Sequence, residues 1–129
     1  MKKERIISKI GISIYSPSEL DNIVPNFDID IVQSPFNVFD TRLKTSGWMN
    51  KLHQANIEIH TRSTFLQGLL LMDSKDIPSK FIKWANLFAL WDKTVEQSNM
   101  NKMEACIQFS SSFNEIDKVI FGVDNEEQF

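Results

Sequence analysis

One cysteine, Cys106, stands among the 129 residues, so no disulfide can form within the chain. That excludes a disulfide-stapled scaffold and makes a reducing, cytoplasmic compartment the expectation. No apolar run approaches the ~18 residues of a membrane-spanning helix. The N-terminus begins Met1-Lys2-Lys3, but Glu4, Arg5, Ser8 and Lys9 interrupt the apolar stretch that a secretory signal needs. A basic stripe is also missing: the 14 Lys and Arg are scattered and outnumbered by 17 Asp and Glu, for a formal net charge of −3. Neither nucleic acid nor a membrane is therefore an expected partner. What remains is the composition of one globular domain of common size.

Short strands with period-two alternation come first. From Ile6 to Tyr15, Ile10, Ile12 and Ile14 share one face and Gly11, Ser13 and Tyr15 the other, until Ser16-Pro17 ends the strand. A short helix is expected to start at Ser18-Glu19-Leu20. Asp28 to Gln33 alternates again and exits at Ser34-Pro35. From Ser46, a candidate cap, Trp48, Leu52 and Ala55 fall at helical spacing. Ile57 to Arg62 then returns to alternation, with Ile57, Ile59 and Thr61 opposite Glu58, His60 and Arg62. Residues 28 to 61 thus form a strand, helix, strand unit, which predicts a parallel sheet with a right-handed crossover.

Beyond Met72 a polar loop leads to Pro78, expected in the first turn of a long helix whose face carries Phe81, Trp84, Ala85, Phe88, Trp91 and Val95. Such an aromatic stripe reads as core packed on the outside of the sheet rather than as a cofactor box. A helix over about Lys102 to Ser110 gathers Met103, Cys106 and Ile107, which makes Cys106 a buried, inert thiol rather than a nucleophile. A last strand is expected from Lys118 to Val123. Asp124 or Asn125 then caps a new helix with Glu126 and Glu127 in its first turn.

Four stretches resemble the aldo-keto reductase family. Gly11-Ile12-Ser13 is similar to the fifth-strand motif Gly-Val-Ser-Asn, with Ile14 in place of Asn. Gln33-Ser34-Pro35-Phe36-Asn37 is similar to the sixth-strand motif Gln-x-x-(aromatic)-Asn. Arg62-Ser63-Thr64-Phe65-Leu66-Gln67-Gly68-Leu69-Leu70 sits in the frame of the seventh, and Gly122-Val123 with Gln128 matches the eighth. The resemblance implies an α/β fold, part of a (β/α)8 barrel comprising strands five to eight with their helices. Residues 1–129 would form the C-terminal half of a reductase domain, since a closed barrel takes roughly 250 residues.

The resemblance also implies NADP or NAD as cofactor and, in the full-length enzyme, a carbonyl substrate reduced by hydride transfer. Ser13 and Gln33 would orient the nicotinamide carboxamide, and Arg62 would cover the ring where relatives carry an aromatic. Ser63, Phe65 and Gln67 would approach the pyrophosphate, and Gly122, Val123 and Gln128 would hold the adenosine end. Residues 122 to 128 contain neither Lys nor Arg for a 2′-phosphate, which weakens the preference for NADP. The family's catalytic Asp, Tyr, Lys and His lie on the first four strands, so none is assigned here, and Tyr15 and His60 are not those residues. Plainer roles stand beside these: Ser13 as a small residue on a crowded face, Gln33 as a solvated strand end, Arg62 paired with Glu58 or a surface acid. A half barrel would also expose unpaired sheet edges, so self-association, or pairing of a cofactor-binding fragment with another barrel half, is expected.

Overall fold

The computed structural model describes residues 6–123 and shows an α/β fold built on one parallel sheet. In chain order the strands are β1 (Gly11–Ser13), β2 (Ile31–Pro35), β3 (Glu58–Arg62) and β4 (Lys118–Val119). Each lies beside its sequence neighbour, all four point the same way, and the spatial order is β1-β2-β3-β4. Parallel neighbours cannot be joined by a hairpin, so every connection is a crossover. These carry α1 (Leu20–Ile23) after β1, α2 (Arg42–Thr45) and α3 (Trp48–Gln54) after β2, and α4 (Ala85–Ser98) and α5 (Lys102–Ser111) after β3.

The alternation in the sequence sets the two faces. Val32, Ser34, Ile59 and Thr61 are buried, and with Ile14 they form the side that the helices cover. Phe36, Leu20, Leu43, Met49 and Leu52 complete this main core, each worth about 1.5–3 kcal/mol of burial. Phe36 is the hub, with its ring 5.5 Å from Phe109 and 5.1 Å from Phe113. A second cluster of Leu70, Trp91, Val95, Ala105 and Cys106 seals α4 and α5 against the loop after β3. On the opposite face the register aligns Ser13, Gln33, His60 and Lys118 in one polar row across the sheet. Gly11 fits there because a Cβ would lie 2.8 Å from the Ile31 Cβ and 3.0 Å from its carbonyl oxygen. Among the described residues β1 and β4 each pair with a single strand, so both outer edges stand open.

Several boundaries differ from the sequence expectation, each for a local reason. Pairing in β1 covers three residues rather than the whole of Ile6 to Tyr15, because Asp30 caps the strand: its carboxylate accepts from the Ile10 amide at 2.7 Å. β2 extends past Gln33 to Pro35, whose missing N–H is tolerated at the strand's last position. Ser46 ends α2 instead of capping α3; the left-handed Gly47 (φ 81°) separates the two helices and sits at the N-cap. Met49 and Leu52 are the buried pair of α3, and Ala55 is exposed. Pro78 precedes a 3-10 segment, Ser79–Trp84, and the α-helix begins only at Ala85. Phe88, Trp91 and Val95 are therefore core, whereas Trp84 is exposed and meets Phe81 at a tilt of 41°. β4 pairs over two residues, the Ile120 amide still donates to the Thr61 carbonyl at 2.8 Å, and Phe121 to Val123 lie beyond the sheet. The cap at Asp124 or Asn125 lies outside the described residues.

The α4/α5 layer is fastened by ions. Lys102, at the start of α5, sits 2.7 Å from Asp92 and 3.2 Å from Asp73, and Asp92 also accepts from the Ser74 amide at 2.9 Å. Burial opposes the charge on Asp92, but hydrogen bonds from Lys102 and Ser74 outweigh it and hold the carboxyl below its ordinary 3.8. Burial likewise opposes the charge on Lys102, and the two carboxylates raise it above 10.5. A depressed acid stabilises above its unfolded pKa and loses that contribution as pH falls through the folded one. A raised base stabilises below its unfolded pKa and loses that contribution as pH rises through the folded one. The clamp is thus whole between these limits, and thermal stability should fall as pH drops below about 3.8. In Asp92→Asn this acid limb should be shallower, measured as Tm against pH; an unchanged limb would mean that the clamp contributes nothing.

Candidate functional site

The carboxyl ends of β2 and β3 and the segment after β4 enclose a cleft of about 550 Å³. Its polar wall comes from Gln33, Arg62, Ser63, Thr64 and Gln67, and its apolar wall from Phe65, Leu71, Met103, Ile120, Phe121 and Val123. Gly122 also lines it. A cleft beyond the carboxyl ends of parallel strands is where α/β folds place ligands, because every strand delivers a loop there.

The loop after β3 forms the cleft's floor in a strained conformation. Ser63, Leu66 and Gln67 have φ of 61°, 48° and 55°, values that side chains disfavour. Asn37 holds this shape. Its buried side chain donates to the Ser63 carbonyl at 3.0 Å and accepts from the Phe39 and Asp40 amides at 2.9 Å each. Phe65 packs on Phe121 at 5.4 Å, joining the loop after β3 to the segment after β4. The Thr64 hydroxyl is buried on this loop and finds no hydrogen-bond partner among the described residues. Leaving a hydroxyl unpaired costs about 1–3 kcal/mol.

Of the residues singled out in the sequence, Gln33, Arg62, Ser63, Phe65, Gln67, Gly122 and Val123 meet in this one cleft. Ser13 joins it through Gln33: its hydroxyl donates to the Gln33 Oε1 at 3.2 Å. Gln128 lies outside the described residues. Arg62 does not pair with Glu58. Its guanidinium donates to the Ile14 carbonyl at 3.0 Å and the Ser63 hydroxyl at 3.2 Å, and lies over the Tyr15 ring. Glu58 takes Lys9 and His60 as partners, with His60 Nε2 at 3.1 Å, and these hold its carboxyl below the ordinary carboxylate range, Lys9 most strongly.

Tyr15, Asn37 and Met103 carry features that the sequence alone does not assign, whereas Thr64 lies within the Ser63 to Gln67 stretch that the resemblance places at the pyrophosphate. Asn37 closes the quoted sixth-strand motif, so its signal was present; Met103 gave the signal of a core residue beside Cys106. Cys106 is buried, and burial pushes its thiol up to about 11, which leaves it protonated and inert.

No family model matches the chain, and the search of curated proteins finds no significant match.

A second hollow, about 520 Å³ between α4 and α5, is lined by Phe39, Leu87, Leu90, Trp91 and Val95 and holds none of the candidate residues. Among the described residues no cluster of His, Cys, Asp and Glu could hold a metal ion, and no helix is long and apolar enough to cross a membrane.

Proposed function

We propose that this chain is the cofactor-binding half of an NAD(P)H-dependent aldo-keto reductase, its four strands being the fifth to eighth of a (β/α)8 barrel. One observation carries the reading. Residues from four separate sequence stretches, each chosen for a resemblance to that family, converge on a single cleft and its hydrogen-bonded margin.

In this reading Gln33 holds the nicotinamide carboxamide. With Oε1 engaged by Ser13, its Nε2 is the atom free to donate. Arg62 faces the ring, the loop carrying Ser63, Thr64 and Gln67 holds the pyrophosphate, and Phe121 to Val123 receive the adenosine. Bound cofactor supplies a hydride for a carbonyl carbon. The acid that protonates the carbonyl oxygen belongs to the other half of the barrel. This chain's share is to bind, orient and shield the ring.

Arg62 is the only cation lining the cleft among the described residues, and the sequence after Val123 contains three acids and no base. NADH should therefore bind at least as tightly as NADPH. Titrating each into the purified chain, with nicotinamide fluorescence as the readout, should give saturable binding below millimolar concentration. No binding of either at millimolar concentration removes the cofactor-binding reading. The open edges of β1 and β4 favour a second reading, a non-catalytic nucleotide-binding fragment that docks on another barrel half. A chain that sediments as a monomer and reduces carbonyls unaided would contradict both.

A further inference from the structure

Tyr15 is the most exposed of the large apolar and aromatic side chains among the described residues, at 77%, yet its backbone is hydrogen-bonded on both sides. The Tyr15 and Ser16 amides donate to one Glu19 carboxylate oxygen at 2.8 and 2.7 Å. From the other side the Tyr15 carbonyl accepts from Arg42 at 3.4 Å, and Arg42 is itself fixed by Asp40 at 2.7 and 2.8 Å. The backbone that carries this exposed ring is therefore held by Glu19 and by Arg42, itself fixed by Asp40. Against it lies Arg62, with the guanidinium carbon 5.0 Å from the ring centre.

The guanidinium is constrained three times over. It is anchored in its plane by the Ile14 carbonyl and the Ser63 hydroxyl and braced on one face by Tyr15, while Arg62 lines the cleft. A planar cation held this way is a preorganised stacking surface, because the cost of ordering a long side chain is met before a ligand arrives. We propose that Tyr15 is a positioning residue that presents the Arg62 guanidinium as a stacking face for the nicotinamide ring. This inference rests on the cofactor reading above and adds to it the pair that replaces a single aromatic side chain.

The test compares two ligands on three proteins. NADH carries the nicotinamide ring and ADP-ribose lacks it, so only NADH senses the stacking face. Tyr15→Ala should weaken NADH about fivefold, the scale of one exposed cation–π contact, and leave ADP-ribose unchanged. Tyr15→Phe keeps the ring and should bind both like the parent. Since the ring is exposed, both variants should melt within a few degrees of the parent. Equal weakening of the two ligands by Tyr15→Ala, or none, overturns the positioning role while the cofactor reading survives. A parent protein that binds neither ligand overturns both.

Discussion

Replacing Phe36 by alanine is expected to remove about 3–5 kcal/mol of folding stability, read as the urea midpoint shift multiplied by m. Phe36 is fully buried, stacks on Phe109 and meets Phe113 edge-on, so truncation opens a cavity that three elements border. Domains of this size carry about 5–15 kcal/mol in total, so the loss is a substantial fraction of the whole. Phe36→Leu keeps most of the volume and should lose about 1–2 kcal/mol. A loss below about 1 kcal/mol for the alanine variant would show that the helices are not held on the sheet by this cluster.

Asn37→Ala is expected to cost about 1–3 kcal/mol and to disable the cleft as well. Three hydrogen bonds end on this side chain; its removal takes the partner of the half-buried Phe39 amide, while the Asp40 amide keeps the Asn37 carbonyl at 3.1 Å and the Ser63 carbonyl keeps the Leu66 amide at 2.9 Å. It also releases the left-handed turn at Ser63, which nothing in the local sequence favours. Stability and NADH affinity should therefore fall together. In Tyr15→Ala, by contrast, affinity falls and stability holds. Unaltered NADH binding by a destabilised Asn37→Ala protein would mean that the loop's shape is irrelevant to the ligand.

Sheet topology was legible because β2 and β3 each have a buried and an open face, which a period of two records directly. The order of helix and strand then left a parallel sheet as the only connection. Gln33 and Arg62 stand out in the sequence only through the resemblance of their stretches to the family's motifs; alternation by itself does not mark a polar strand residue as part of a site. Helix starts were less legible. Gly47 and the 3-10 turns before Ala85 depend on backbone dihedrals that apolar spacing does not encode. Met103 was read as core from its helical phase with Cys106, but α5 packs through Ala105 and Cys106 and turns Met103 toward the cleft. The Tyr15 and Arg62 pair joins residues 47 positions apart across two strand ends, a contact that only the fold creates.

The cofactor titration, followed residue by residue through backbone amide shifts in an isotopically labelled chain, tests the central claim most directly. Adding NADH should perturb Gln33, Arg62 to Gly68 and Ile120 to Val123, and leave the α4/α5 hollow around Leu90 and Val95 unchanged. Shifts confined to that hollow, or none at millimolar NADH, would contradict it.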